Sequence, residues 1–133
     1  MADYHSSTQL ATRVDVVFDY LSKVEHLPDY AAFIGDVHTT APGEVHAAAH
    51  LPDGSTVAGE SHWRVDALHR RVDWEAEDGS GYHGSILMRG HPDGTHVRLL
   101  LHTPHDPDPA VQRAADEAMA ALHTAVASHI GAI

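Results

Sequence analysis

Any chemistry done by this chain must come from histidine, hydroxyl, carboxylate or guanidinium groups, because it contains no cysteine. That removes disulfides, thiolate nucleophiles and cysteine-based zinc sites together. Fourteen histidines are the conspicuous resource, since imidazole acts as acid, base or metal ligand near neutral pH. Their spacing does not converge. His46 and His50 share a strand face but lie about 13 Å apart at about 3.3 Å per residue, too far to bind one ion. His91 and His96 would neighbour each other near the last hairpin, and His102 and His105 flank Pro104. There is no HExxH and no three-ligand spacing, so neither a metal site nor a cofactor is expected. His123 and His129, near the C-terminus, would be general bases if turned inward and solvent-edge residues otherwise. Protonating every histidine would carry the formal charge from -11 to +3.

Ser61 lacks a Gly-x-Ser-x-Gly setting, and no glycine-rich phosphate loop precedes a helix. Hydrolase, kinase and dehydrogenase chemistry therefore drop out. Tyr30, Ser61, Tyr82 and Arg89 are left as groups able to hold or move a proton, without a motif that assigns any of them as catalytic. Trp63 and Trp74 share a face on neighbouring strands, where their rings either stack on an aromatic ligand or fill the core.

The net charge of -11, from 19 acids against 8 bases, is spread without a basic cluster, which excludes nucleic acid as the partner. No apolar run approaches the roughly 18 residues of a membrane span, and the N-terminus lacks a signal peptide's basic and apolar regions. A cytoplasmic protein without integral membrane association is expected. At 133 residues the chain suits one domain, 1–133.

Positioning falls to two kinds of element. From Asp108, a good N-cap followed by Pro109, the apolar residues Val111, Ala115, Ala118, Leu122, Ala125, Val126 and Ile130 recur in steps of three and four, with Met119 at the seam. The spacing predicts a helix of about 33 Å stopped by Gly131. Upstream, residues 3–10 form a polar-leaning strand with Tyr4, Ser6, Thr8 and Leu10 on one face. A helix follows from Thr12, where Asp15 completes a variant capping box, to about Val24; another opens at Pro28 and ends near Gly35.

Between Asp36 and Thr103 the period changes to two, and turn signals separate six strands. One face carries Val45, Ala47, Ala49, Leu51, Val57, Gly59, Ser61, Trp63, Val65, Val72, Trp74, Ala76, Val97, Leu99 and Leu101. His46, His50, Glu60, His62, Arg64, Asp73, Glu75, Arg98 and His102 take the other, as a half-solvated antiparallel sheet requires. At Pro92-Asp93-Gly94 a four-residue loop aligns Ile86 and Met88 with Val97 and Leu99, whereas a three-residue loop would bring Leu87 and Arg89 there instead. Small residues on both prospective walls, Ala47, Ala49, Gly59, Ser61 and Gly84 against Ala115, Ala118 and Ala125, mean either close approach or open space.

The order strand, two short helices, six strands and long helix resembles the START-like helix-grip superfamily, which includes polyketide cyclases/dehydrases and lipid-transport proteins. Val17 to Tyr30, VFDYLSKVEHLPDY, looks like its opening helix pair, and Gly90 to Leu101, GHPDGTHVRLLL, like its last hairpin. Arg13 departs from the proline that many members carry before the first helix. The resemblance implies an α+β fold in which a curved antiparallel seven-stranded sheet grips the C-terminal helix, with a pocket beneath the two short helices. Carried over by residue, its walls would be Tyr30, Phe33, Ser61, Trp63, Trp74, Ile86, Met88, Leu99, Met119 and Leu122. The implied partner is a small hydrophobic or aromatic molecule, bound by a cyclase/dehydrase-like enzyme or by a non-enzymatic lipid or quinone carrier. A homodimer is compatible with either.

Overall fold

The computed structural model describes residues 2–31, 34–50, 56–77, 81–104 and 106–131, with only the backbone described at 49, 56, 57, 130 and 131. Seven strands make one antiparallel sheet: β1 (Ala2–Leu10), β2 (Ile34–Ala41), β3 (Glu44–His50), β4 (Thr56–Asp66), β5 (Arg71–Ala76), β6 (His83–His91) and β7 (Gly94–Thr103). The helices are α1 (Val14–Leu21), a 3-10 turn over Val24–His26, α2 (Leu27–Tyr30) and α3 (Pro109–Gly131). This is the α+β helix-grip architecture. The spatial order β1-β7-β6-β5-β4-β3-β2 is a continuous meander from β2 to β7, with the first strand added beside the last.

Alternation along the strands gives the sheet its two sides. Trp63 pairs with Trp74 and Val65 with Val72, while Ile86 pairs with Leu99 and Met88 with Val97. The apolar partners therefore meet on one face, and the charged residues are forced onto the other. The last hairpin keeps the register expected for the longer loop, and pairing continues to His91 opposite Gly94, so only Pro92 and Asp93 turn the chain.

Helix α3 is fixed to β1 by both apolar and polar contacts. Ala115, Ala118, Met119, Leu122 and Val126 are buried, so Met119 lies within the stripe rather than at its edge. Asp108 caps the helix, its Oδ1 accepting from the Ala110 N–H at 2.9 Å. The Asp108 N–H in turn donates to the Tyr4 hydroxyl at 2.9 Å. Ser6 donates to Asp116 at 2.7 Å, Gln112 to the His5 carbonyl at 2.9 Å, and Thr8 Oγ1 lies 2.6 Å from His123 Nε2. The polar character of the inner face of β1 is thus explained, since three of its alternating side chains bond to the segment that crosses it.

The two early helices are shorter than their periodicity suggested. α1 ends at Leu21, and α2 is a single turn closed by the Ala31 N–H on the Leu27 carbonyl at 2.9 Å. Ala31 then leaves helical geometry, with φ -103° and ψ 86°, and Ile34 already belongs to β2. Cross-strand pairing of Ile34 with Ala49 overrides the helical pattern. Phe33 and Leu51 lie outside the described residues.

Candidate functional site

Burial is uneven across the inner face of the sheet. Toward β6 and β7 it is complete: Ile86, Met88, Val97 and Leu99 are all buried under α1 and α3. Toward β3, β4 and β5 it is mixed: Val45 and Val72 are buried, whereas Ala47, Gly59, Ser61, Trp63, Trp74 and Ala76, which point the same way, are only half-buried. Gly59 is the sharpest marker, since a methyl group built there would meet no atom of the described residues within 4 Å. Interiors pack to crystal-like density, so among the described residues there is room above Gly59 that the face at β6–β7 does not have.

Small residues carry both meanings that the sequence left open. Gly59 borders open space. Gly84 does not, because the Trp74 indole lies across it, and an added Cβ would sit inside van der Waals contact with that ring. Ala115 and Ala118 are buried, and there small size means close approach of helix and sheet. Among the described residues the open room is therefore at Gly59, not at Gly84, Ala115 or Ala118.

Trp63 and Trp74 lie on the same inner face as Gly59. Their rings stack with centroids 5.8 Å apart and planes within 17°. Trp63 is held from the other side, its indole N–H donating to the Ser22 carbonyl at the end of α1 at 3.1 Å. That bond satisfies the only polar atom of the side chain and one exposed helix-end carbonyl at once. What Trp63 offers inward is an apolar ring.

Tyr30 is the polar exception. It is 4 % exposed, and its hydroxyl makes no hydrogen bond with any described residue. Burial pushes its phenol well above the usual tyrosine value, with Tyr20 and the Asp29 carboxylate adding to the effect. The group is thus a neutral O–H, able to donate. Tyr20, 6.4 Å away between ring centroids, is fully occupied: its hydroxyl donates to Asp29 at 3.0 Å and its ring stacks on His26 at 4.2 Å. His26 Nδ1 lies 2.7 Å from the Tyr20 carbonyl. His129 packs 5.0 Å from Tyr20 and 5.3 Å from His26, so it belongs to a half-buried aromatic cluster rather than to the solvent edge. The sequence had not singled out Tyr20. Its signal was the helical spacing that puts Tyr20 beside Val17 and Leu21 on the buried side of α1.

Two other candidates, Arg89 and His123, lie at exposed positions. Arg89 is exposed, paired opposite His96 on the outer face of the β6–β7 hairpin. His123 is exposed and committed to Thr8. Tyr82 is half-buried just before β6, where its carbonyl accepts from the Ala76 N–H at 2.9 Å. Ile86, Met88, Leu99, Met119 and Leu122 are all buried and belong to the packed core. The outer face instead holds the charge: Arg71 grips Asp73 through two bonds, at 3.0 and 2.7 Å. Those bonds, with help from Ser85, hold the Asp73 carboxyl below its ordinary value.

No family model and no curated protein sequence matches the chain. Solved structures do. The protein TTHA0849 from Thermus thermophilus is similar over 96 % of this chain and 99 % of its own, with a TM-score of 0.83 and 14 % identity. The Zhui aromatase/cyclase from Streptomyces is similar over 97 % and 95 %, with a TM-score of 0.77 and 14 % identity. A START superfamily protein from Mycobacterium smegmatis is similar over 97 % of both chains, with a TM-score of 0.72 and 14 % identity. These likenesses establish the START-like helix-grip fold.

Proposed function

We propose that this chain binds one small, mostly apolar molecule with an aromatic face in the hollow between α3 and the inner face of β3–β5. The observation that carries the reading is a run of half-buried small and aromatic positions around Gly59, Ser61, Trp63 and Trp74 on the inner face of β3–β5, beside the fully buried Ile86, Met88, Val97 and Leu99 of β6–β7. Concave, largely apolar sites with a few placed polar groups are the usual form of small-molecule pockets. Ser61, Trp63 and Trp74 supply the accessible wall. Ile86, Met88, Leu99, Met119 and Leu122, carried over from the resemblance, lie in the packed core behind that wall, and Phe33, carried over likewise, lies outside the described residues. Tyr30 provides a buried hydroxyl that has no hydrogen-bond partner among the described residues, suited to a carbonyl or phenolic oxygen on the ligand. A cytoplasmic location goes with this reading.

Carriage is favoured over catalysis by the inventory of groups. Among the described residues on the inner face of the sheet there is no carboxylate, imidazole or guanidinium, and proton transfer needs a group whose pKa lies near the working pH. Tyr30, held far above that range, donates a hydrogen bond without giving up its proton. The second reading is cyclase/dehydrase-like chemistry by orientation of a flexible substrate. It rests on that buried Tyr30 hydroxyl and on the aromatase/cyclases that share the fold.

Native mass spectrometry of protein purified without added ligand tests the proposal. The expected result is a co-purified apolar molecule, or uptake of one aromatic compound per chain from a mixed panel. Absence of both would overturn it.

A further inference from the structure

We propose that the outer face of the sheet carries a separate site for a divalent transition-metal ion of the zinc type, formed by Glu44, His62 and Glu77. Glu44 on β3 stands directly opposite His62 on β4. Glu77 follows β5, and its N–H bonds to the Glu60 carbonyl at 3.0 Å, which sets it diagonally beside His62 on the same face. The ligand atoms of the three side chains all lie within 4.8 Å of one another, and His62 Nε2 is 3.3 Å from the Glu77 carboxylate. Zinc bonds of about 2.0–2.2 Å place tetrahedral ligand atoms about 3.3–3.6 Å apart. Side-chain rotations of an ångström or so therefore close the set around an ion, with the backbone register already in place. Glu44 is half-buried while His62 and Glu77 are exposed, leaving further positions to water.

The surroundings ask for a cation. Glu75 pairs opposite His62 on β5, and Glu60 is the backbone partner of Glu77, so four carboxylates share adjoining positions on three strands. Like charges across strands destabilise a sheet. Among the described residues the basic groups paired within this patch are three histidines: His46, 2.8 Å from Glu60, His62 itself, and His83, opposite Glu75 on β6. The nearest strand arginine, Arg64, pairs opposite Asp73. Neutral imidazoles do not offset four negative charges, and a divalent ion does. One imidazole nitrogen in the set favours zinc, cobalt or manganese over calcium, which prefers all-oxygen cages.

The test is a titration of the untagged full-length protein with Zn2+ and Co2+ at pH 7.5, followed by calorimetry and by visible cobalt absorption. One ion per chain is expected at the tightest site. His62→Asn and Glu44→Gln should each weaken it at least tenfold, whereas His96→Asn, on the β6–β7 hairpin opposite Arg89, should leave it within twofold. Circular dichroism checks that each variant folds. Cobalt-induced broadening of backbone amide signals should centre on residues 44, 62 and 77. Equal binding by His62→Asn or Glu44→Gln, equal competition by Ca2+, or broadening spread over other histidines would mean adventitious binding only and overturn the site.

Discussion

The Trp74 indole lies flat across Gly84, the residue paired with it on the adjacent strand. Absence of a side chain at Gly84 is what lets this ring stay low against β6 and stack on Trp63 instead of standing up into the hollow. Gly84→Ala should therefore cost about 1–3 kcal/mol, the usual range for overpacking, because the added methyl also meets the Leu100 carbonyl oxygen at 2.9 Å. Denaturant unfolding followed by tryptophan fluorescence measures it. A neutral substitution would mean that Trp74 is free to move aside.

Tyr30→Phe separates stability from binding. The hydroxyl is buried without a described partner, a state that costs about 1–3 kcal/mol when water is excluded. Removing it should raise folding stability by about 1 kcal/mol. Affinity for a ligand bearing a carbonyl or phenolic oxygen should meanwhile fall about tenfold, close to 1.4 kcal/mol. A stability loss instead of a gain would show that the hydroxyl already has a partner inside the fold.

Asp73 makes the acid side of the stability curve predictable. Its folded pKa is lowered from 3.8, first by the Arg71 bonds and then by Ser85. A lowered carboxylate pKa contributes stability that is fully present above the unfolded value and is lost as pH falls through the folded one. Asp73→Asn should therefore destabilise by a constant amount between about pH 5 and 8, with the difference shrinking toward about pH 3. Urea unfolding at several pH values checks this. A gap unchanged at low pH would contradict the assignment.

Which features were legible in the sequence follows from the range of the interactions behind them. Strand parity was readable from Trp63, Val65, Val72 and Trp74 because one face must be apolar, and the cap at Asp108 was readable because it is local. The length of α2 was not, since pairing of Ile34 with Ala49 on β3 overrides a helical pattern from a distance. Gly59 and Gly84 look alike in sequence yet differ in outcome, because only the neighbouring Trp74 decides which of the two gaps is filled. Glu44, His62 and Glu77 have no ligand-like spacing. They meet only through the registers of β3, β4 and β5, so a motif search along the chain could not find them.

The claim on which the functional reading depends is that the space above Gly59 is open and takes an aromatic guest. The most direct measurement is a nuclear magnetic resonance titration with 1-naphthol, following the two indole N–H signals of Trp63 and Trp74 in the unmodified protein and in Gly59→Leu. Saturable shifts of both signals at one equivalent per chain are expected, together with loss of binding in a Gly59→Leu variant that stays folded and is no less stable. Indole signals that do not move at millimolar naphthol, or a Gly59→Leu protein that is destabilised as an overpacked core would be, would contradict the hollow.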